Sequence, residues 1–385
     1  MDIERAVFRA NPDYELVLTD RLGAAERAQP GSAGEDDYGV LRPRPGAELD
    51  WRSVSCETAL LFFSLAEPGP FPRYAAARLG DRLEETVARL VTDGVLQIRH
   101  EGSYVSGPPA GPLVFRAPSA GGTGRIGELS IAALRYGQRL RHLAEPMLAG
   151  RLYAYGRLPL SPRLRRRFPG EEAVASYLGI RPGAAWTAAW SEAGHSPTTS
   201  RHWRQWWLRS RSGETGRPAS GYKLYVSPAL DAMEGVVGTV AESLAVTPGV
   251  RAFKVGCDLP GVCRPDKIVA YFDRLDDLRR AAGTLEAALA GRAAHGVPFT
   301  AAVTGDGLLS WGADPPAYGR EWGAPSSWRM WVSERLAEYL IATRAADMDG
   351  LEPWRFALDR LRAGGVDTDT WIPAGGMWPR VLMSG

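Results

Sequence analysis

The sequence is short of lysine, of cysteine and of long apolar runs. Three lysines, at positions 223, 254 and 267, stand among the 46 lysines and arginines, and the remainder are arginine. This bias is typical of a GC-rich genome in which arginine supplies most cations. Arginine stays protonated and cannot act as a base, whereas a desolvated lysine can lose its proton. We therefore expect at least one of the three lysines to have a functional role, with chance and strand packing as the alternative.

Few cysteines and short apolar runs exclude several classes of protein. Cys56, Cys257 and Cys263 are too scattered for a disulfide framework. The longest strongly apolar run, Ala59–Ala66, is shorter than the roughly 20 residues of a membrane-spanning helix. Residues Met1–Arg5 do not begin a secretory signal. We expect a cytoplasmic protein that does not associate with membranes.

The charge balance also bounds the possible partners. The 385 residues carry a formal net charge of +2, which argues against an extended nucleic-acid surface. The length predicts two or three domains with sizeable cores.

The first part of the chain, residues 1–105, has the pattern of a winged helix. Extended residues 8–18 precede three helix-like segments and a hairpin. The helical segments are Cys56–Leu65, Arg73–Leu79 and Leu83–Asp93, and the hairpin spans Val95–Val105. Residues 106–124 are rich in glycine, proline, alanine and serine and predict a linker.

The remainder, residues 125–385, is predicted to be one mixed domain, so that the chain is an α+β protein. A helical stretch, Ile126–Leu152, comes first. Strand and helix patterns follow. The predicted strands are Trp186–Trp190, Trp203–Leu208, Tyr222–Val226, Phe253–Gly256 and Lys267–Phe272, and the predicted helices are Gly235–Leu244, Asp273–Ala290 and Ser327–Ala345.

The three lysines fall on predicted strands. Alternation places Lys223 beside Tyr225 on one face, and Lys267 with Tyr271 on one face. Lys254 lies in an apolar strand, where an unpaired ammonium group is costly. It must either lose its proton readily or pair with an acid.

The acids that could pair with Lys254 are Asp258 and Asp266. Arg264 stands at the turn between two predicted strands and could hold a phosphate through two hydrogen bonds. A local pair between Arg264 and Asp266 is the alternative.

Other motifs carry weaker signals. Residues 122–127 match a dinucleotide-binding pattern but lack the flanking strand and the βαβ unit, so we expect no cofactor. The cysteines and histidines lack metal-ligand spacing, so we expect no metal. His195 and His295 lie in glycine-flanked loops, where either could be a general acid or a structural histidine.

Two arginine-rich segments favour structural interpretations. Residues 201–211 interleave arginine with tryptophan, which indicates a half-buried strand more than a nucleic-acid or phosphopeptide site. Residues 163–167 indicate an exposed basic face, with docking of an acidic peptide segment as the functional alternative.

Residues 222–340 resemble the HopA-type effector family of plant-pathogenic bacteria. The order and spacing of several short elements carry the resemblance. These are Tyr222–Tyr225 (YKLY), Phe253–Lys254, Arg264–Asp266 leading to Tyr271, Gly296–Thr300 (GVPFT), Gly305–Gly307, Asp314–Pro315 and Ser326–Arg329.

The resemblance implies a lyase. Proteins similar to this family accompany a separate kinase and a cyclase in actinobacterial pathways for class V lanthipeptides and thioamitides. There they are assigned as the enzyme that eliminates phosphate from serine or threonine of a ribosomal precursor peptide, leaving dehydroalanine or dehydrobutyrine. Residues 1–105 weakly resemble the PqqD-like winged helix that recognises peptides in such pathways, through Ala59–Phe62, the Arg73 helix and the segment Leu83–Leu96.

Elimination needs a base for the Cα proton, a donor for the leaving group and cations that hold the phosphate. We hypothesise that Lys254 is the base, with Lys223 as its rival. Tyr271 or Tyr225 would donate a proton or orient the lysine. Arg264, Lys267 and Arg329 are the candidates for phosphate binding.

Two rival functions predict different features. A scaffold that presents the precursor to a kinase or cyclase predicts lysines that do not converge. DNA binding predicts a basic recognition helix, but residues 83–93 are net acidic.

Overall fold

The chain is an α+β protein. The structure is a computed structural model that describes residues 3, 5–29, 37–115, 120–193, 202–209, 221–315, 327–344, 346 and 350–374. The α-helices in these ranges are α1 (Ala24–Arg27), α2 (Cys56–Ser64), α3 (Arg73–Leu79), α4 (Leu83–Thr92), α5 (Gly111–Val114), α6 (Gly124–Gly137), α7 (Glu145–Tyr153), α8 (Pro162–Arg167), α9 (Glu171–Tyr177), α10 (Val236–Ala245), α11 (Leu259–Val262), α12 (Leu275–Ala288), α13 (Trp328–Ala342) and α14 (Pro353–Ala363).

The strands are short and form several separate sheets. They are β1 (Val7–Ala10), β2 (Tyr14–Leu18), β3 (Gly39–Pro43), β4 (Arg52–Val54), β5 (Gly69–Pro70), β6 (Leu96–His100), β7 (Ser103–Val105), β8 (Trp190–Glu192), β9 (Trp203–Leu208), β10 (Tyr222–Val226), β11 (Val250–Gly256), β12 (Ile268–Phe272), β13 (Ala301–Ala302), β14 (Leu309–Ala313), β15 (Val366–Asp367) and β16 (Ile372–Pro373).

The chain divides into two compact units. The first combines Met1–Ser119 with Tyr339–Gly364, and the second combines Ala120–Glu338 with Gly365–Gly385. The predicted linker, residues 106–124, includes α5 and the first residue of α6.

The first unit contains two small sheets and the predicted three helices followed by a hairpin. Its sheets have the strand orders β5-β1-β6-β7 and β2-β3-β4. The helices α2, α3 and α4 precede the β6–β7 hairpin, as the sequence predicted. The amphipathic pattern of α4 explains its packing, because Val87 and Val91 are fully buried in a core that also contains Phe8, Leu41 and Leu96.

The second unit is built on a seven-stranded sheet in the order β13-β14-β10-β12-β11-β9-β8, with all neighbours antiparallel. Helices α10 and α12 pack against one face. That face buries apolar residues at alternate strand positions, including Leu224, Phe253 and Ile268. The intervening residues, among them the lysines of β10 and β11, therefore lie on the opposite face.

Two predicted elements differ from the structure. Trp186 was predicted to begin a strand but lies in a 3-10 helix, Ala185–Ala189, because its ring packs edge-on against Trp206 and Phe253. The predicted long helix from Ile126 is divided into α6 and α7.

Candidate active site

Two of the three lysines converge on one tyrosine ring. Lys223 in β10 lies directly across from Tyr271 in β12, and Lys254 in β11 pairs with the nearby Val269. The Nζ atoms of Lys223 and Lys254 each lie 5.8 Å from the centre of the Tyr271 ring. The period of two residues along each strand places these side chains on the same face of the sheet.

Lys223 is held by a carboxylate. Its ammonium forms an ion pair with Asp314, which follows β14, the neighbouring strand. The Oδ1 atom of Asp314 also accepts a hydrogen bond of 2.9 Å from the backbone N–H of Trp328. Asp314 therefore connects Lys223 with the first turn of α13, where the positive end of the helix dipole favours a negative charge.

An indole ring lies beside Lys254. The Nζ atom of Lys254 is 4.3 Å from the centre of the Trp203 ring, and the guanidinium of Arg264 is 5.1 Å from it. Indole is the most favourable aromatic partner for a cation. Trp203 thus brings a lysine and an arginine to one aromatic side chain.

Arg264 belongs to a buried cluster of charged and phenolic groups. Its Nε and Nη2 atoms donate to the two carboxylate oxygens of Asp266 at 2.8 and 2.9 Å. Nη1 of Arg329 lies 2.9 Å from the same carboxylate. The hydroxyl of Tyr153 donates to Asp266 at 3.1 Å and accepts from Arg264 at 3.1 Å. The local pair between Arg264 and Asp266, which was the alternative to phosphate binding, is therefore present.

The charges in this cluster determine its protonation. Burial alone would raise the pKa of Asp266, but the positive charges of Arg329 and Arg264, with a smaller contribution from Lys254, hold it below its ordinary value. Burial and the charge of Asp266 raise the pKa of Tyr153 to about 12. Asp266 thus stays ionised and Tyr153 keeps its proton at neutral pH.

Arg329 lies deeper than Arg264. Its side chain is 1% exposed, compared with 14% for Arg264. It also donates to the backbone oxygens of Pro298 at 3.1 Å and Tyr153 at 2.8 Å. Arg329 thus holds α13 to the end of α7 and to Asp266.

Lys267 is directed to a different set of groups. It is fully buried, and its Nζ atom lies 2.8 Å from both the backbone oxygen of Pro228 and Nδ1 of His295. The Nε2 atom of His295 lies 2.7 Å from the oxygen of Gly156. Burial lowers the pKa of Lys267 to about 7. Burial and the neighbouring Lys267 lower the pKa of His295 to about 4.

Tyr225 lies two residues along β10 from Lys223, in a small apolar cluster. It packs with Val269 and Val297, and it is 3% exposed. Burial, followed by the charge of Asp314, raises the pKa of Tyr225 well above its ordinary value. Tyr271 is only half-buried and is the more accessible phenol of the two.

The structure therefore brings Lys223 and Lys254 to the Tyr271 ring, and it brings Lys254 and Arg264 to the Trp203 ring. Tyr225 lies in the apolar cluster against which both rings pack. Sequence reasoning overlooked Tyr153, which follows no local pattern and meets Arg264 from 111 residues away. It also assigned no role to Trp203 and Asp314, although both fall within segments that it singled out.

Several other candidates have structural surroundings. Asp258, considered as a partner of Lys254, contacts His202 at 2.5 Å and caps α11. Burial raises the pKa of Cys257 to about 11, which disfavours a thiolate nucleophile. His195 lies outside the described residues.

The described ranges have neither a metal-binding cluster nor a membrane-spanning helix. They contain no group of three or more histidine, cysteine, aspartate or glutamate side chains arranged to hold a metal ion. In the same ranges, no helix is long and apolar enough to cross a membrane.

Comparisons with known proteins give similarities at low identity. No protein-family model matches the chain, and no curated protein matches it. An effector protein from Pseudomonas syringae pv. tomato strain DC3000 has a similar solved structure, with 13% identity, a TM-score of 0.36 and coverage of 64% of this chain and 97% of the effector. An effector protein from Pseudomonas syringae pv. syringae strain 61 gives 9% identity, a TM-score of 0.37 and coverage of 64% and 98%.

A phosphothreonine lyase structure is also similar. It has 14% identity and a TM-score of 0.28, and the similarity covers 48% of this chain and 88% of the lyase. The function proposed below rests on the residues of this chain.

Proposed function

We propose that the chain is a lyase that removes phosphate from phosphoserine or phosphothreonine in a peptide by β-elimination. The observation that carries this proposal is the convergence of Lys223 and Lys254 on Tyr271. Arg264 is the next cation, beside the same Trp203 ring as Lys254. The proposed base and proton donor thus lie on one face of the sheet, and the proposed phosphate-binding Arg264 lies beside them in the turn between α11 and β12.

The reaction makes specific demands on these groups. A neutral amine takes the Cα proton, the electron pair left behind forms the Cα–Cβ double bond, and the Cβ–O bond breaks. Phosphate departs with the oxygen that was bound to Cβ. The negative charge on that oxygen is neutralised by a proton or stabilised by a nearby cation. Cations fixed in place before the reaction stabilise the charge that develops on the leaving oxygen.

We assign the base to Lys254 and a fixed positive charge to Lys223. Lys223 is held in an ion pair with Asp314. Lys254 has Lys223 across the Tyr271 ring and Arg264 across the Trp203 ring. Lys254 therefore shares one aromatic ring with each of these two cations.

The other roles follow from exposure. Arg264 is the candidate for phosphate contact because its side chain is 14% exposed. Arg329 acts through Asp266 and Lys267 through the Pro228 and His295 contacts, because both are buried. Tyr271 is the proton donor or orients Lys254, whereas buried Tyr225 belongs to the apolar cluster against which Tyr271 packs.

We further propose that the substrate is a phosphorylated precursor peptide of a lanthipeptide-type pathway, supplied by a separate kinase and passed to a cyclase. The resemblance of residues 222–340 to HopA-type proteins and the scarcity of lysine support this context. No metal or cofactor takes part in the proposed steps.

We also propose that the first unit contains a winged helix that recognises the leader of the precursor. The order α2, α3, α4 and the β6–β7 hairpin supports it, and Leu60 and Phe63 of α2 are exposed apolar side chains. A precursor with its leader should show a lower KM than the same phosphopeptide without it. Equal KM values would contradict leader recognition.

The activity is tested with a synthetic phosphothreonine peptide followed by mass spectrometry. The expected product has lost phosphoric acid and adds a thiol at the new double bond. A product that regains a hydroxyl group instead would identify a phosphatase and overturn the proposal.

Arginine substitutions separate the roles of the two lysines. Lys254→Arg keeps a cation but removes the base, so we expect a loss of kcat of about 10²–10⁴-fold. Lys223→Arg keeps the positive charge and should lose much less. Arg279→Ala, an exposed position on α12, is the control and should keep full activity. Full activity in both lysine variants, or none in the wild type, would favour a binding scaffold.

A further inference from the structure

One stretch of the second unit is strongly basic. Residues 120–170 contain ten arginines and two acidic residues, Glu128 and Glu145, in a chain whose net charge is +2. All ten arginines are exposed. They are Arg125, Arg135, Arg139, Arg141, Arg151, Arg157, Arg163, Arg165, Arg166 and Arg167. Positive charge is thus concentrated in the part of the chain that forms α6, α7 and α8 and the segments between them.

A cleft opens in this basic part of the chain. It has a volume of about 600 Å³, within the range of ligand sites, and α6 and the segment after α7 line it. Arg135, in the last turn of α6, and Arg139, just after the end of that helix, both line it. Tyr136 and Tyr155 line it as well, with ring centres 5.6 Å apart and an interplanar angle of 45°.

The cleft is connected to the proposed active site through α7 and the segment after it. Tyr155, in the cleft, lies two residues beyond Tyr153, which contacts Arg264 and Asp266. The next residue, Gly156, contacts His295. One wall of the cleft is thus joined through the chain to the cluster around Arg264.

We propose that this cleft binds an acidic segment of the peptide substrate, at a distance from the residue that loses phosphate. The two arginines offer paired donors to carboxylates, and the two tyrosine rings offer apolar surface together with hydroxyl groups. The identity of the peptide as a substrate rests on the proposed function. Binding of an acidic segment does not.

The lining favours peptide over nucleic acid. Glu128 contributes a negative charge to the cleft, which opposes a continuous phosphate backbone. The Tyr136 and Tyr155 rings pack against each other, whereas single-stranded nucleic acid needs ring faces open to its bases. Separate carboxylates on a peptide can reach the arginines without lying against Glu128.

Fluorescence anisotropy with the full-length protein tests the proposal. The probe is a labelled peptide rich in glutamate that contains no phosphorylated residue, and its comparison is the same peptide with glutamine in place of glutamate. The double variant R135Q/R139Q should weaken binding of the glutamate peptide about tenfold, a loss of about 1.4 kcal/mol in binding free energy. The control, R163Q/R165Q, removes the same charge from α8 and should leave binding unchanged.

The outcomes separate this proposal from the proposed function. Equal affinity for the glutamate and glutamine peptides would overturn the proposal that the cleft binds an acidic segment. An equal loss of affinity in the two double variants would overturn it as well. Tighter binding of a single-stranded oligonucleotide that R135Q/R139Q abolishes would reassign it to nucleic acid. Selective binding by a protein without elimination activity would support the cleft and contradict the lyase.

If the protein is active, a second measurement applies. R135Q/R139Q should raise KM for a phosphopeptide with an acidic extension and leave kcat unchanged. The same variant should not alter KM for the peptide without the extension. A change of kcat for both peptides would indicate a structural effect on the active site and overturn the assignment.

Discussion

The three lysines have three different environments. Lys223 faces a carboxylate, Lys254 lies over aromatic rings, and Lys267 is enclosed by neutral acceptors. Scarcity of lysine in the sequence pointed to these positions, but strand alternation alone could not distinguish buried from accessible amines.

Lys267 predicts a rise of stability with pH. Below pH 7 the ammonium is protonated in the folded and unfolded chains, and the cost of burying its charge is present in full. Between about 7 and the ordinary value of 10.5 the unfolded chain holds a proton that the folded chain lacks, so the free energy of unfolding rises with pH. Lys267→Met should remove a rise on the order of a few kcal/mol, measured by urea unfolding at both ends of this range. Lys254→Met serves as the comparison, and an unchanged slope in Lys267→Met would contradict the burial argument.

Asp266 is expected to be essential for the stability of the cluster. Asp266→Asn leaves the buried Arg329 and the nearly buried Arg264 without their carboxylate. Breaking a buried ion pair from one side costs about 3–5 kcal/mol. Urea unfolding should show this loss, whereas Asp276→Asn, in an exposed pair with Arg279, should change stability by less than about 1 kcal/mol. Similar losses in the two variants would contradict the role of Asp266.

At the scale of elements, local patterns predicted most of the second unit. Strand Tyr222–Val226 has the predicted bounds, and α10, α12 and α13 lie within or close to the predicted helices. Alternation and helical spacing are local properties, so the sequence contains them directly. Contacts such as Tyr153 with Arg264 depend on the tertiary arrangement and have no local signal.

A crossing of two glycines positions the loop that carries Arg264. A Cβ atom on Gly256, at the end of β11, would lie 2.6 Å from the backbone oxygen of Gly261 in α11. Such a distance forces the strand and helix apart. Gly256→Ala should therefore destabilise the protein by about 1–3 kcal/mol and raise KM for a phosphopeptide, because Arg264 follows the displaced helix.

Gly283→Ala is the matched control for this prediction. Gly283 lies in α12, and a Cβ atom there has no neighbour within 4 Å. Alanine favours helix over glycine by about 0.5–1 kcal/mol, so this variant should be slightly more stable. A stable Gly256→Ala protein with unchanged KM would show that the loop does not depend on the crossing.

At the scale of the molecule, the first unit is formed from two distant parts of the chain. Residues 339–364 belong with residues 1–119, and α14 contributes buried Trp354, Phe356 and Leu361. No helix was predicted beyond Ala345, so α14 and the partner of its buried face were both missed. Local sequence patterns cannot identify this partner, because residues 1–119 are far from α14 along the chain.

A fragment of residues 1–119 should therefore lack part of its own core. Phe115 packs against Phe356 with ring centres 6.2 Å apart, and Arg360 donates to the half-buried Asp93 at 2.5 and 3.0 Å. Burial would raise the pKa of Asp93, but Arg360 and Arg52 hold it below its ordinary value, so its charge requires them. Without α14, Phe115 and the apolar residues around it are exposed to water, and Asp93 loses its ion pair with Arg360. We therefore expect that the fragment shows no cooperative thermal transition by circular dichroism.

Addition of a peptide of residues 339–364 should restore that transition. The same peptide with Arg360→Met should bind at least about tenfold more weakly, because it leaves Asp93 without its closest partner in the low dielectric of the unit. Arg355→Met removes an exposed arginine from the same helix and should restore the transition as well as the natural peptide does. Cooperative unfolding of fragment 1–119 alone would show that its core is complete without α14, and α14 would then be an addition to an independent domain.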